Sequence, residues 1–210
     1  MIKAIVSDFG GVLTTPLFHA FARVQEDSGL EVAALGKAMA RIQEEDAAHP
    51  LYELEKGNIT EPAFLARLER AIEDETGRAV ELHEFSDRYW SHLHPNEPLI
   101  ERMRSLKAEG YRMALLTNNV REWEPRWRGM LPVDQIFELV VDSAFVGMRK
   151  PDPEIYQLTL ERLGLPAAEA LFLDDIELNI QTAESLGMTG VWFQTNEQAL
   201  ADIDAALRTD

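Results

Sequence analysis

The sequence predicts an α/β fold: a Rossmann-like three-layer core with a parallel sheet, plus a helical cap inserted after the first strand. Three observations carry this. Beyond residue 95, short apolar runs without polar alternation recur between helical patterns, as strands covered on both faces do. Three apolar runs end on polar residues, at Asp8, at Thr117-Asn118 and at Asp174-Asp175. Between the first two of these lie residues 15–90, where apolar residues repeat at helical spacing without a strand pattern. The expected organisation is a discontinuous core of residues 1–14 and 91–210 and a cap of residues 15–90.

Taken in order, the first strand starts at Ile2 and stops on Asp8, before Gly10 and Gly11. Glycines there suit a sharp turn or a close approach of backbone to a ligand. In the cap, Phe18, Phe21 and Val24 predict one helix, and Val32, Leu35, Met39 and Ile42 a second. A third carries Phe64, Leu65, Leu68 and Ile72, with Thr60 as N-cap and Pro62 in its first turn. Asp87 to Trp90 closes the segment, whose charges, including Glu44-Glu45-Asp46, read as solvated faces. Asn96 is the expected cap of a helix reaching Glu109, with Gly110 as its stop. Strands follow at Tyr111–Leu116, Phe137–Val141, Ala170–Leu173 and Thr189–Phe193. Helices are expected after Thr117-Asn118-Asn119, from Asp152 to near Gly164, over Ile176–Leu186 and after Asn196 as cap.

A chain of 210 residues, 46% hydrophobic, can bury a substantial core. Its 37 acidic against 20 basic residues give a net charge of -17, which repels nucleic acid and anionic membrane surfaces. Neither is an expected partner. An anionic substrate would need local positive groups, backbone N–H donors or a bound cation. The absence of cysteine removes disulfide and thiolate chemistry. The N-terminus passes into a strand without a leader pattern, and no run has the length of a membrane span, so a soluble, cytoplasmic protein is expected. Asn58-Ile59-Thr60 accordingly reads as a turn rather than a glycosylation acceptor.

Parallel strands end at one edge of a sheet, where open α/β folds bind ligands. That edge gathers Asp8, Thr117-Asn118 and Asp174-Asp175 beneath the cap. Three carboxylates there repel one another unless a cation intervenes, and an all-oxygen site with room for water suits magnesium, making Asp8, Asp174 and Asp175 the candidate ligands. The acids at 174 and 175 also fit a helix start, although one cap suffices. Thr117 and Asn118 offer a hydroxyl, an amide and N–H groups suited to a phosphoryl oxygen, or a plain turn. Lys150, held between Gly147 and Pro153 in a loop stiffened by Pro151, can offset the negative potential and hold such an oxygen.

Asp8-Phe9-Gly10-Gly11-Val12, Leu116-Thr117-Asn118, Lys150-Pro151-Asp152-Pro153-Glu154-Ile155-Tyr156 and Phe172-Leu173-Asp174-Asp175 with Asn179 resemble, in order and spacing, the motifs of the haloacid dehalogenase-like hydrolases. The tail of the pattern looks closest to the branch holding the phosphatase domain of soluble epoxide hydrolases and related sugar-phosphate phosphatases. The resemblance implies a phosphatase acting on a small phosphorylated metabolite, with Asp8 as nucleophile forming an aspartyl-phosphate. It implies that Thr117 and Lys150 hold the phosphoryl group, and that Mg2+ is held by Asp8, the Gly10 carbonyl, Asp174 and Asp175.

One position departs from the family pattern. Most phosphatases of the family carry a general acid/base aspartate two residues after the nucleophile, and here that residue is Gly10. Such a group contributes ~10²–10⁴ in rate, so esters whose leaving group departs with little protonation are expected as substrates. His19, in the cap, is a candidate replacement acid. Dehalogenases and phosphonatases of the family also lack that aspartate. A dehalogenase needs no magnesium, which Asp174-Asp175 argues against, and a phosphonatase needs a cap lysine, where only Lys37 and Lys56 stand. A catalytically silent phosphate-binding or interaction protein is the reading from another class. Trp123 and Trp127, four apart, are expected on one helix face in buried packing, or else at a substrate rim or a dimer contact. Arg121, Arg126 and Arg128 either attract an anion or balance neighbouring acids, and His92 and His94 are spaced wrongly for one helix face. The cap chooses the substrate, and neither its identity nor the oligomeric state is legible from the sequence.

Overall fold

A computed structural model describes residues 1–16, 32–82 and 84–208. Five short strands form one sheet: β1 (Ala4–Ser7), β2 (Arg112–Thr117), β3 (Leu139–Asp142), β4 (Ala170–Asp174) and β5 (Thr189–Trp192), in the order β3-β2-β1-β4-β5. All neighbouring pairs are parallel, and β1 sits centrally with Ser7 opposite Leu115 on one side and Leu173 on the other.

Alternate residues of these strands enter two separate cores, as a pleated sheet buried on both faces requires. Ile5, Met113, Leu115 and Leu171 pack with α5 (Glu97–Ala108), α6 (Glu124–Met130), α7 (Val133–Ile136) and α11 (Asn196–Leu207). Val6, Ala114, Leu116 and Phe172 face the other way, onto α9 (Pro153–Leu163) and α10 (Glu177–Ser185), the short α8 (Ser143–Val146) following β3. These are the three layers anticipated. No helix among the described residues is long and apolar enough to cross a membrane.

Between β1 and β2 the chain forms α1 (Val32–Asp46), α2 (Pro50–Glu55), α3 (Glu61–Thr76) and α4 (Phe85–Ser91). Ala38 and Ile42 of α1 pack on Phe64, Leu68 and Ile72 of α3, and Val120 from the sheet side joins that cluster. Thr60 caps α3 as expected, its hydroxyl accepting from Ala63 N. The run at 44–46 is exposed. Helix α2 was not foreseen, since six residues are too few to show a helical period. The helix expected from Phe18, Phe21 and Val24, and His19 within it, lie outside the described residues.

Several expected details are corrected. Asn96 precedes α5 but makes no side-chain cap; its amide instead donates to Val12 O at 2.7 Å and to Asn196 Oδ1 at 2.8 Å. The buried loop after Asp8 offers a carbonyl that needs a donor more than the solvated helix end does. Asn196 is the first residue of α11, and Thr195 is its cap, in a capping box with Gln198. Asp152 stands at the N-cap of α9 without a side-chain bond to it. Trp123 and Trp127 do not share a helix: Trp123 ends the 3₁₀ turn Arg121–Trp123, and Trp127 lies in α6, fully buried and tilted on Phe9 at 5.6 Å between ring centroids. Arg126 pairs with Asp87, Arg128 with Glu124 and Asp134, and Arg121 donates to Ala144 O, so these cations balance local charge and carbonyls.

Candidate active site

The loop leaving β1 is shaped by its own short polar bonds. Asp8 N donates to Leu173 O at 2.8 Å, prolonging the β1–β4 ladder by one residue, and Gly11 N donates to Thr14 Oγ1 at 3.0 Å. Gly11 has φ +78°, a left-handed conformation, and a Cβ there would lie 2.2 Å from Asp175 Oδ2. Only glycine lets the loop pass beneath the second acid of the β4 tip. The close neighbour of this backbone is a side chain of the protein itself.

The carboxylates of Asp8, Asp174 and Asp175 converge, offering ligand oxygens all within 4.8 Å of one another. Lys150 lies among them rather than on the surface: it is 2% exposed, and its Nζ is 2.7 Å from Asp8 Oδ1 and 2.6 Å from Asp174 Oδ2. The other oxygen of Asp174 accepts from Ile176 N at 2.8 Å and from Asn179 Nδ2 at 2.9 Å, so this acid both starts α10 and faces the cluster. Tyr156 OH in turn donates to Asn179 O, tying α9 to the same corner.

Asn118, at the β2 tip, turns its carboxamide to the lysine loop: Nδ2 donates to Lys150 O at 2.9 Å and Oδ1 accepts from Lys150 N at 2.8 Å. This two-bond clamp fixes the backbone from which the ammonium projects. Thr117 is buried beside it and lines a cavity.

Burial pushes Asp8 up to about 8, with Lys150 opposing and Asp174 and Asp175 adding to the rise. Asp175 is pushed up to about 6 by burial and by Asp174. Lys150 is held above its ordinary value because its two carboxylate partners outweigh its desolvation. With all three carboxylates ionised, they and the one ammonium sum to two negative charges, which one divalent cation neutralises. An all-oxygen set of that charge fits magnesium, and Asp8, Asp174 and Asp175 are the side chains that would hold it.

Over this edge lies a cavity of about 430 Å³ that runs from Gly10, Thr117 and Asn118 into the helices of the 32–91 segment. Sequence reasoning missed two features of its rim. Glu55, at the end of α2, pairs with Arg149 at 2.7 Å, and its backbone carbonyl accepts from Ser143 Oγ at 2.6 Å. Ser143 Oγ also accepts from Asn119 N at 3.0 Å. Each residue looks like an ordinary helix-end polar group in the sequence; the nearest signal was the step from Arg149 to Lys150. Lys37 is 68% exposed and Lys56 pairs with Glu53 across one turn, so neither is a desolvated amine suited to Schiff-base chemistry.

Residues 2–187 match the family described as haloacid dehalogenase-like hydrolase. The chain is 29% identical over 208 residues to acyl-CoA dehydrogenase family member 10 of Mus musculus, covering 98% of this chain and 19% of that protein. It is 27% identical over 216 residues to bifunctional epoxide hydrolase 2 of Sus scrofa, covering 97% and 38%. The chain thus spans well under half the length of these two relatives. With a phosphorylated carbohydrates phosphatase of Thermotoga maritima it shares 28% identity over 197 residues, 91% of this chain and 84% of that one. A HAD-like family hydrolase from Porphyromonas gingivalis superposes with a TM-score of 0.76 at 26% identity, over 100% of both chains. With the four motifs converging on one sheet edge, phosphatases among its relatives and a family match over most of its length, this chain belongs to the haloacid dehalogenase-like hydrolases.

Proposed function

We propose that the protein is a magnesium-dependent phosphatase working through an aspartyl-phosphate on Asp8, with residues 15–90 as cap over the core of 1–14 and 91–210. The observation that supports it best is the placement of Lys150 between Asp8 and Asp174, with Asp175 in the same cluster. A carboxylate oxygen of Asp8 attacks phosphorus, the bond to the ester oxygen breaks, and the alkoxide or phenolate departs, taking its proton from water. Water then attacks the phosphoryl group and releases inorganic phosphate, restoring the Asp8 carboxylate. Lys150 and the Thr117 hydroxyl hold phosphoryl oxygens, and Asn118 keeps the Lys150 backbone in place. Magnesium, held by Asp8, the Gly10 carbonyl, Asp174 and Asp175, supplies charge neutralisation at the phosphoryl oxygens when bound.

Gly10 carries no side chain with which to protonate the leaving group. Esters of acidic alcohols, aryl phosphates among them, are therefore favoured over simple alkyl phosphates. The test is hydrolysis of phenyl phosphate with and without magnesium by the native protein and by Asp8→Asn, with rapid acid quench to trap phosphoenzyme. Magnesium-dependent turnover and an acid-stable phosphoryl adduct, both lost in Asp8→Asn of intact fold, are the expected results. Phosphate binding without turnover or adduct would identify a catalytically silent protein instead.

A further inference from the structure

Tyr89 of α4 lies buried on the helical side of the cavity that Gly10, Thr117 and Asn118 line from the sheet edge. It is the one hydroxyl-bearing side chain that the described part of the helical segment gives to this cavity. That hydroxyl has no hydrogen-bond partner among the described residues. Building on the phosphatase reading, we propose that Tyr89 is a catalytic residue whose hydroxyl donates a hydrogen bond to the ester oxygen as that oxygen departs.

Three observations support this. The first is placement. Displacement in line with Asp8 puts the departing oxygen on the far side of phosphorus from the nucleophile, toward the cavity. Lys150 and Thr117 are engaged with phosphoryl oxygens in the proposed mechanism, so the departing oxygen needs a donor of its own. Among the polar groups that the helical side and the 3₁₀ turn offer, Glu55 is engaged by Arg149, Trp123 Nε1 donates to Glu61 at 2.9 Å, and Trp90 Nε1 is enclosed. The Tyr89 hydroxyl is the donor that remains.

The second is rigidity. The ring stacks on Trp123 at 5.3 Å between centroids, runs nearly parallel to Phe85 at 6.1 Å, and meets Trp90 edge-on at 6.0 Å. Just beyond α4 the chain is stitched to the loop that follows Asp8: Thr15 N donates to His94 O at 2.8 Å, Asn96 N donates to Leu13 O at 2.9 Å, and Thr14 bridges Pro95. The phenol is therefore anchored to the nucleophile's own loop, and a donor fixed in advance costs no reorganisation when charge develops.

The third is chemical state. Burial and the charge of Asp175 hold the phenol well above its ordinary value, so it keeps its proton and can donate. An ester oxygen is a weak acceptor and a phenolate oxygen a strong one, so the hydrogen bond strengthens on the way to the transition state. The electron pair of the P–O bond leaves with the oxygen, and the Tyr89 O–H bond stays intact. The leaving group takes its proton from water afterwards.

The test compares kcat/KM of the native protein and of Tyr89→Phe on 4-nitrophenyl, 4-cyanophenyl, 4-chlorophenyl and phenyl phosphate, in rising order of phenol basicity. This ratio reports the steps up to departure of the phenolate, whatever limits later turnover. Phenylalanine keeps the ring and its stacking and removes only the hydroxyl. A weakly basic phenolate needs little help, so the loss should stay below ~3-fold for the nitrophenyl ester and grow along the series to at least ~10-fold for phenyl phosphate. The magnesium concentration for half-maximal activity should not move. The urea midpoint should be equal or higher, because the substitution breaks no hydrogen bond within the protein.

No loss, or an equal loss on all four esters, overturns the inference while turnover of phenyl phosphate by the native protein keeps the phosphatase reading intact. An equal loss with a raised magnesium requirement would place the hydroxyl on the cation's side of the site instead. A lowered urea midpoint would mean that the hydroxyl has a structural partner, which equally overturns the assignment. If the native protein itself hydrolyses none of the esters, the phosphatase reading fails and the role of Tyr89 falls with it.

Discussion

Gly11 and Asp175 are so placed that a single methyl group on the glycine would occupy the position of the aspartate's carboxylate, 2.2 Å from its Oδ2. The glycine is also left-handed at φ +78°, a conformation that costs an L-residue ~1–2 kcal/mol. Gly11→Ala is therefore expected to lower stability by at least ~1–2 kcal/mol and to drive Asp175 out of the cluster. Urea denaturation measures the first effect. The second appears as a rise of tenfold or more in the magnesium concentration needed for half-maximal activity. A variant with native stability and native magnesium dependence would show that the loop moves freely, contrary to this packing.

Lys150 is paired with two buried carboxylates at once, so its removal strands both. Breaking a buried pair by truncating one partner typically costs ~3–5 kcal/mol. Asp8, already pushed up to about 8, can take up a proton in compensation. Lys150→Met, which removes the cation that lowers Asp8, is therefore expected to lose about 3 kcal/mol at pH 7 and more at pH 9, where the native Asp8 is ionised against Lys150 and the variant must hold its proton against the rising pH. Phosphatase activity should fall by at least ~10², the loss of a charge-stabilising donor at the phosphoryl group. Denaturation at the two pH values, followed by recovery of stability on adding magnesium, distinguishes charge from packing: a loss that ignores both would mean the aliphatic stem matters, not the ammonium.

Much of this site can be read before any coordinates, because its acids and hydroxyl stand where apolar runs end. Parallel strands bring Asp8, Thr117 and Asp174 to one edge whatever the details of packing. Contacts decided by tertiary geometry are another matter. Nothing in the spacing of Asn118 and Lys150 says that the amide faces the lysine's backbone rather than a ligand, and nothing in the Lys150 loop says that its ammonium is buried. The cap of α11 shifts by one residue, from Asn196 to Thr195, because the reciprocal bond needs Gln198 three positions on. Asn96 and Asn196, both natural caps, bond to each other across 100 residues instead. The pair formed by Glu55 and Arg149 joins the helical segment to the lysine loop through two residues that look solvated in the sequence.

Asp142 ends β3 opposite Thr117, and its Oδ1 accepts from Ala144 N at 3.0 Å while Oδ2 is buried without a hydrogen-bond partner. Burial pushes its carboxyl up to about 7 from an ordinary 3.8. A carboxyl with a raised value in the folded state favours folding while it is protonated. Its contribution is complete below pH 4, shrinks as pH rises toward 7, and is gone above that. The interval corresponds to at most ~4 kcal/mol. Asp142→Asn retains an acceptor for Ala144 N and has no charge to desolvate. It should match the native protein near pH 4 and exceed its stability by a few kcal/mol at pH 8, as read from the difference between their urea midpoints across that range. Parallel pH profiles would show that Asp142 is solvated in solution.

In the proposed mechanism Gly10 takes the position of the acid/base aspartate of related phosphatases, which makes the restoring substitution informative. Gly10→Asp would add a proton donor two residues beyond the nucleophile, and its benefit depends on how much protonation the leaving group needs. A phenolate leaves with little help, whereas an alkoxide depends on it, and a positioned acid contributes ~10²–10⁴ in such cases. The variant should gain at least ~10-fold in kcat/KM toward a simple alkyl phosphate while changing little toward phenyl phosphate, so the aryl-to-alkyl ratio falls. The pH profile for the alkyl ester should acquire a descending limb as the new carboxyl loses its proton. An unchanged ratio in a folded, magnesium-binding variant would mean that the native protein already protonates its leaving group by another route, and a side chain facing the cavity would then be the place to look for it. Glu55 is such a side chain. It lines the same cavity, and burial pushes its carboxyl up even against Arg149 and Lys150. Glu55→Gln would then remove turnover of alkyl phosphates selectively, a loss that the same pair of substrates measures.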